Sequence, residues 1–322
     1  MSFQKVVVAG GGVLGSQIAY QSAYCGKDVT IWLRSEGSIT RTKPKLDQLK
    51  KDYEAAIKLM DSDEGKLEAN WCRGLAIDES WDCEKALKRS ENAYNNIKLE
   101  LDLAKAVKDA DIIIESMAEL TDEKIEFYKK LAPLMDEKTV LVTNSSTLLP
   151  STFAKYTGRA NKYLSLHFAN HIWKQNLVEV MAQDQTDSKY FDEVMQFGKE
   201  IGMIPVPVLK EKSGYLLNSL LVPFLMCGMD LVANGVSDPE SVDKAWKLGT
   251  AAPRGPFEII DVVGITTAHN IVQQYLKVPS IINPILKKMM MPYNFKKIDA
   301  MLQKYIDEGK LGRATGQGFY KY

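Results

Sequence analysis

The sequence predicts an α/β protein in which a doubly wound, mostly parallel sheet is followed by an all-helical domain. Apolar strands alternate with amphipathic helices up to about residue 210, and from residue 213 onward only helical periodicity remains. We therefore predict an N-terminal sheet domain at residues 1–211 and a helical C-terminal domain at residues 212–322.

The predicted elements follow in chain order. Residues 6–9 form an apolar strand, a glycine turn leads into a helix that ends near Tyr24, and residues 29–33 form the second strand. Residues 42–96 are highly charged with helical periodicity, which predicts a helical insertion. Further strands are predicted at residues 97–101, 112–117, 140–143, 163–168, 177–181 and 206–209, with intervening helices at 122–135 and up to Gly202.

The composition disfavours several classes of partner. Lys plus Arg and Asp plus Glu both number 41, so no net charge attracts nucleic acid or an anionic membrane. Because the chain has neither a long apolar run nor a signal-peptide core at its start, we expect a soluble, cytoplasmic protein. Four cysteines lack metal-ligand spacing, so we predict no metal site, reduced thiols and a core position for Cys227.

A Gly10-x-Gly12-x-x-Gly15 run joins the first strand to its helix. In such a run the first glycine permits the tight turn, the second lets a pyrophosphate approach the helix N-terminus, and the third lets the helix pack on the strand. Val13 and Leu14 lie inside the same turn. The position of the run between a strand and a helix predicts a Rossmann-type dinucleotide site that includes all five residues.

The end of the second strand bears on which dinucleotide binds. An NAD site usually carries an acid there that accepts hydrogen bonds from the ribose 2′-hydroxyl. This chain has Leu33, Arg34 and Ser35 instead, and an arginine can pair with a 2′-phosphate. We expect an NAD(P)(H) site in which NADP(H) is favoured; in the alternative, NAD(H) binds, Arg34 is a solvated charge and Glu36 reaches the ribose.

Two polar residues interrupt otherwise apolar strands. His167 lies in the strand at 163–168 and Glu179 in the strand at 177–181. Burying an unpaired carboxylate costs several kcal/mol, so Glu179 needs a partner, and His167 is close in sequence. A carboxylate that orients a histidine is typical of general acid/base catalysis. A purely structural His–Glu pair is the alternative.

Polar side chains also follow the strand at 140–143, in the run Asn144-Ser145-Ser146-Thr147. Ligands of open α/β sheets bind at the carboxyl ends of strands, so these groups are candidates for substrate contacts. Ordinary helix capping would also use such residues.

With these features in place, the sequence resembles the 3-hydroxyacyl-CoA dehydrogenase family over nearly its whole length. The variants Asn-Ser-Ser-Thr-Leu-Leu-Pro and His-Phe-Ala-Asn-His-Ile-Trp are most similar to the branch that contains bacterial diketoreductases. The motifs that carry the resemblance are Gly10-x-Gly12-x-x-Gly15, Glu115-Ser-Met-Ala-Glu119, Asn144-Ser-Ser-Thr147, His167-Phe-Ala-Asn170, Leu177-Val-Glu179-Val, Gly214-Tyr-Leu-Leu-Asn218, Gly255-Pro-Phe-Glu-Ile-Ile-Asp261 and Thr315-Gly-Gln-Gly-Phe-Tyr320.

The resemblance implies an oxidoreductase of fatty acid metabolism that interconverts a 3-hydroxyacyl and a 3-ketoacyl substrate. It implies that His167 is the general acid/base, that Glu179 orients it, and that Ser146 and Asn218 bond the substrate oxygen. It further implies a set of residues that line the nicotinamide half of the cofactor site, namely Glu119, Lys124, Ser146 and Asn170.

The chain departs from the family pattern at Leu33, at the His171-Ile172-Trp173 segment and in the long insertion at 42–96. These departures leave open whether the substrate is a CoA thioester, a free hydroxy acid, or a β-keto or diketo ester. A non-catalytic relative, similar to the eye-lens crystallins of this family, is a further alternative.

The C-terminal domain is predicted to contact substrate and to form a homodimer. Its segments Leu216–Met229 and Ile281–Met291 contain more apolar side chains than one small domain can cover.

Overall fold

The computed structural model describes residues 3–68, 70–277 and 292–322. The chain divides into two compact units, Met1–Leu216 and Leu217–Tyr322. The predicted apolar segment Ile281–Met291 lies outside the described residues.

The N-terminal unit contains an eight-stranded sheet in the order β3-β2-β1-β4-β5-β6-β7-β8. Neighbouring strands are parallel except for β6 and β7, so the predicted mostly parallel sheet is confirmed. The strands are β1 (Lys5–Ala9), β2 (Asp28–Trp32), β3 (Lys98–Glu100), β4 (Ile112–Glu115), β5 (Val140–Thr143), β6 (Tyr163–Phe168), β7 (Leu177–Met181) and β8 (Ile204–Val208).

Both faces of the sheet are buried at its central strands β1, β4 and β5. In β1, Val6 and Val8 belong to one apolar cluster, whereas Val7 and Ala9 belong to another. This alternation follows from the two-residue period of a strand. Because both faces of such a strand are covered, its sequence is a nearly continuous apolar run. The helices of the unit are α1 (Val13–Tyr24), α2 (Glu36–Met60), α3 (Cys83–Asn96), α4 (Leu103–Val107), α5 (Thr121–Leu131), α6 (Pro150–Phe153) and α7 (Ser188–Glu200), with 3₁₀ turns at Ala132–Leu134, Ala154–Tyr156 and Ala160–Lys162.

Several element boundaries differ from the sequence prediction by a few residues, for example β4 ends at Glu115 rather than 117 and α5 at Leu131 rather than near 135. The helix α2 begins at Glu36 rather than near residue 42, with Ser35 as its N-cap. The predicted insertion is helical only in α2 and α3, since the described residues between 61 and 82 form turns, bends and irregular structure. The strand β8 begins before Pro205 rather than after it. It pairs with β7 alone, and an edge strand tolerates proline because one row of its N–H groups needs no partner strand.

The C-terminal unit is helical where it is described, and its apolar cluster includes Leu225, Phe257 and Ile298. Cys227 is exposed in α8, so the predicted core position is wrong: a helix that buries one stripe leaves the residue on its opposite side exposed. Among the described residues, no helix is long and apolar enough to span a membrane. The helices are α8 (Leu217–Ala233), α9 (Pro239–Thr250), α10 (Pro256–Val263), α11 (Ile265–Leu276) and α12 (Phe295–Asp307), with a 3₁₀ turn at Arg313–Thr315.

Candidate active site

The glycine turn lies between β1 and α1, at the point where the strand order reverses from β1 to β4. Gly10 has a positive φ of 123° and lies so close to the carbonyl of Ser116, after β4, that a Cβ would come within 2.5 Å of its oxygen. A Cβ at Gly15 would come within 2.2 Å of the Gly10 carbonyl oxygen. The first and third glycines are therefore required by backbone contacts.

Gly12 is different, because a Cβ added there would meet no described atom within 4 Å. It is the N-cap of α1 and offers no side chain to the free N–H groups of the first turn, where Val13 is exposed and Leu14 is half-buried. Open space above free N–H groups at a helix N-terminus fits a pyrophosphate. The residues present therefore fit a dinucleotide.

A cleft of about 220 Å³ continues from this turn toward the end of β2. Arg34 lines it and donates a hydrogen bond to Glu123 across 3.1 Å. Ser35 is exposed and its hydroxyl lies 3.1 Å from that of Ser38, whereas Leu33 is buried and contributes no hydrogen-bonding side chain. The cleft also contains Arg41, Thr42 and Lys45.

His167 and Glu179 stand directly opposite each other on the antiparallel strands β6 and β7. The imidazole Nδ1 lies 3.0 Å from Glu179 Oε2, and the two residues are 5% and 1% exposed. The other carboxylate oxygen accepts the Leu216 N–H at 2.8 Å. A carboxylate at Nδ1 favours the tautomer in which Nδ1 carries the proton, so the neutral ring has a free lone pair on Nε2.

The second ring nitrogen of His167 faces Ser146, with Nε2 at 3.2 Å from the hydroxyl oxygen. Glu119 holds this turn, because its carboxylate accepts the Ser145 hydroxyl at 2.7 Å and the Ser146 N–H at 2.9 Å. The helix α6 begins later, with Leu149 as its N-cap, so the cluster does not cap that helix. The Ser146 hydroxyl and the imidazole are therefore adjacent, with Ser146 partly exposed and His167 buried.

Tyr215 was missed by the sequence reasoning. Its ring stacks on the His167 imidazole with centroids 4.4 Å apart and planes 15° apart, and its hydroxyl donates to the Ser145 carbonyl at 2.8 Å. Burial raises the pKa of this hydroxyl, so it stays protonated as a donor. The positive φ values of Gly214 and Tyr215 turn the chain back over the imidazole, and the Gly-Tyr pair was the signal that could have indicated it.

Lys124 lies in a buried network below the site. Lys124 and Glu115 are both 0% exposed, and the ammonium is 2.6 Å from the carboxylate. The same carboxylate accepts the hydroxyls of Tyr128 and Thr143 at 2.8 and 2.7 Å. The network joins α5 to the ends of β4 and β5, and in this arrangement Lys124 contacts Glu115 rather than open space.

The segment after β6, where the sequence departs from the pattern of the family that it resembles, contains two stacked aromatic rings. The rings of His171 and Trp173 stack with centroids 5.4 Å apart, and Trp173 also contacts Tyr53 at 5.1 Å. The His171 N–H donates to Gln17 of α1 at 2.8 Å, which ties this segment to the helix behind the glycine turn. Desolvation is the main cause that lowers the pKa of His171, so this ring is mostly neutral at pH 7.

The two remaining predicted site residues belong to different units. Asn170 is exposed in the bend after β6. Asn218 is in the first turn of α8, in the C-terminal unit, whereas the other three predicted catalytic residues belong to the N-terminal unit.

Comparison with known proteins matches both units to one family. Residues 5–212 match the profile of the 3-hydroxyacyl-CoA dehydrogenase NAD binding domain, and residues 214–322 match the profile of its C-terminal domain. Hydroxyacyl-coenzyme A dehydrogenase from human mitochondria is 31% identical over 319 residues, which is 99% of this chain and 91% of the relative. A 3-hydroxybutyryl-CoA dehydrogenase from Clostridioides difficile is 29% identical over 322 residues and covers 99% of both chains.

Solved structures superpose on this chain over its full length. A diketoreductase studied for dual catalysis of dicarbonyl compounds superposes with a TM-score of 0.82 at 41% identity and full coverage of both chains, which confirms the predicted similarity to that branch. FadB2 of M. tuberculosis gives a TM-score of 0.76 at 26% identity, again over both full chains. With both domain profiles matched in order and relatives aligned from end to end, the chain belongs to the 3-hydroxyacyl-CoA dehydrogenase family.

Proposed function

We propose that this protein is a nicotinamide-dependent oxidoreductase that interconverts a 3-hydroxyacyl and a 3-ketoacyl substrate. The observation that carries the proposal is the row Ser146–His167–Glu179, with contacts of 3.2 and 3.0 Å, on the sheet edge that also carries the glycine turn. Family membership and the names of the hydroxyacyl-CoA relatives support the substrate class.

A nicotinamide held at this site would supply or accept the hydride at the substrate β-carbon. In the reductive direction, the Ser146 hydroxyl donates a hydrogen bond to the substrate oxygen as negative charge develops on it, and we assign the same role to the Asn218 amide. His167 Nε2 delivers the proton. Glu179 holds the opposite nitrogen and stabilises the charged ring before transfer.

The cofactor site is assigned from the same edge of the sheet. The glycines at 10, 12 and 15, with Val13 and Leu14, would hold the pyrophosphate, and Glu119 and Asn170 would lie toward the nicotinamide. We assign Lys124 to this half through the family resemblance, with its described contact to Glu115 making it a support for the loop after β4.

We propose NADP(H) as the preferred cofactor, because Leu33 replaces the ribose-binding acid while Arg34 and Ser35 lie at the cleft or beside it. Arg34→Ala should raise the KM for NADPH and leave the KM for NADH nearly unchanged. A wild-type preference for NADH, or equal effects on both cofactors, would contradict this assignment.

A second candidate substrate class is a free β-keto or diketo ester. The stacked rings of His171 and Trp173 place bulk in the segment that follows the catalytic strand, and the similarity to a diketoreductase points the same way. The crystallin-like alternative is disfavoured, because the set of residues assigned to catalysis is intact in this chain, namely Ser146, His167, Glu179 and Asn218.

We further propose a cytoplasmic homodimer. Exposed apolar side chains of the C-terminal unit support the dimer, among them Leu220 and Leu248, which are 75% and 77% exposed. Light scattering at micromolar concentration should give about twice the mass of the chain, and a monomeric mass would contradict the dimer.

The proposed function is tested by following oxidation of NADPH and NADH with acetoacetyl-CoA and with a free β-keto ester. Turnover of acetoacetyl-CoA that is lost in His167→Gln supports the main proposal. Turnover of the free ester alone favours the second substrate class. Absence of turnover with both substrates, from protein that binds the nucleotide, contradicts the enzymatic proposal.

A further inference from the structure

The cleft beyond the glycine turn is lined by an unusual concentration of positive charge. Three cations line it, Arg34, Arg41 and Lys45, against one carboxylate, Glu123. The position that would bond a ribose hydroxyl is Leu33, whose side chain is apolar. The chemistry of the cleft therefore favours an anion rather than a neutral ribose.

One face of α2 supplies most of these polar groups. Ser38, Arg41, Thr42 and Lys45 are spaced at i, i+3, i+4 and i+7, which places them on the same side of a helix. The Thr42 hydroxyl is 3.2 Å from the carbonyl of Gly11, so this face is held against the glycine turn. A ligand whose pyrophosphate lies on that turn would meet the same face with its adenosine half.

The two arginines are not equivalent. Arg34 Nη1 is bound to the carboxylate of Glu123 at 3.1 Å, which offsets its charge. Arg41 donates from Nη2 to the Ser38 hydroxyl at 3.1 Å. This partner is neutral, and Arg41 forms no ion pair with the described part of the chain, so its remaining donors can meet a ligand. Lys45 donates a hydrogen bond to the backbone carbonyl of Arg41, which keeps a second cation on the same face.

We propose that Arg41 and Ser38, with Lys45 as a supporting charge, form the subsite for the 2′-phosphate of NADP(H), and that Arg41 rather than Arg34 is its main ligand. A guanidinium binds a phosphate through two parallel hydrogen bonds, and the Ser38 hydroxyl adds a third donor. This inference rests on the proposed preference for NADP(H).

An adenosine 3′-phosphate, as CoA carries, has the same chemistry. Continuity of the cleft with Gly10 and Gly12 favours the dinucleotide, because its pyrophosphate would lie on those glycines and bring the 2′-position to α2. Three nucleotides distinguish a site for NADP(H) from a site for CoA. They are 2′,5′-ADP for the NADP end, 3′,5′-ADP for the CoA end, and 5′-AMP without the extra phosphate.

The test is isothermal titration of these three nucleotides into the wild type, Arg41→Ala, Arg34→Ala and Lys43→Ala. Lys43 is the matched control because it is an exposed cation on α2, about 200° around the helix from Arg41. Thermal unfolding of each variant should match the wild type, since all three side chains are exposed.

Wild-type protein should bind 2′,5′-ADP at least about 10-fold tighter than 5′-AMP and tighter than 3′,5′-ADP. Arg41→Ala should weaken the binding of 2′,5′-ADP about 10- to 100-fold and leave the affinity for 5′-AMP unchanged. Arg34→Ala should lose less affinity for 2′,5′-ADP, and Lys43→Ala should lose none.

Three results would overturn the inference. If the wild type prefers 2′,5′-ADP to 5′-AMP but Arg34→Ala loses more affinity for 2′,5′-ADP than Arg41→Ala does, the proposed subsite is wrong while the NADP(H) preference stands. Equal affinity of the wild type for 2′,5′-ADP and 5′-AMP removes the preference itself. Tighter binding of 3′,5′-ADP assigns the cleft to CoA. None of these results depends on turnover, so the proposed reaction is tested separately.

Discussion

Replacing Glu179 by glutamine should slow turnover while leaving the cofactor bound. In the structure the two carboxylate oxygens accept from two N–H groups, His167 Nδ1 at 3.0 Å and the Leu216 amide at 2.8 Å. A glutamine has the same shape but only one acceptor oxygen, so its NH₂ group must face one of these donors. The variant therefore loses one hydrogen bond or forces the other imidazole tautomer.

The magnitude follows from the charge of the lost contact. A hydrogen bond to a charged group contributes about 1.5–3 kcal/mol, and each 1.36 kcal/mol in the barrier is about tenfold in rate. Glu179→Gln should lower kcat by about 10- to 100-fold, less than a change of His167 itself.

The assay is steady-state oxidation of a 3-hydroxyacyl substrate, with nucleotide affinity measured separately by titration. Asp299→Asn is a matched control, because Asp299 pairs with His269 at 2.8 Å and belongs to no proposed site. A kcat within about threefold of wild type would refute the orienting role of Glu179.

Three further predictions concern positioning, cofactor binding and stability. Tyr215→Leu, which removes the ring stacked on the imidazole, should lower kcat about tenfold and alter the pH–rate profile, whereas Tyr215→Phe keeps the ring and should restore most of the rate. Gly12→Ala should weaken nucleotide binding at least tenfold in a titration without lowering Tm, because the added methyl group meets only open space; Gly249→Ala, equally open in α9, should leave binding unchanged. Lys124→Met should lower the free energy of unfolding in denaturant by about 3 kcal/mol, because it leaves the buried Glu115 carboxylate without its cation; a loss under about 1 kcal/mol would contradict that reasoning.

The histidine–glutamate pair was predictable because it depends on strand neighbours. A carboxylate in an apolar strand needs a partner, and the nearest strand offered one histidine, so the pairing of His167 with Glu179 followed from burial cost alone. The glycine turn was predictable for a similar reason, since strand, turn and helix are contiguous in sequence.

Other parts of the site depend on tertiary contacts that periodicity does not reveal. Tyr215 reaches the imidazole because the chain turns back after β8 through two residues with positive φ. Arg41 faces the cleft because α2 begins at Glu36, whereas a helix start near residue 42 would leave Arg41 outside the helix. The pairing of Lys124 with Glu115 required the packing of α5 against β4, which the resemblance alone did not indicate.

The central claim is that His167 moves the proton that accompanies hydride transfer. It is tested most directly by the kcat of His167→Gln with the best 3-ketoacyl substrate, measured on protein whose nucleotide affinity and Tm are known. We expect kcat to fall by about 100-fold or more while the nucleotide still binds within about threefold of wild type, since general acid/base catalysis contributes at least that much. Turnover within about threefold of wild type, or a variant that no longer folds, would show that the pair of His167 and Glu179 is structural.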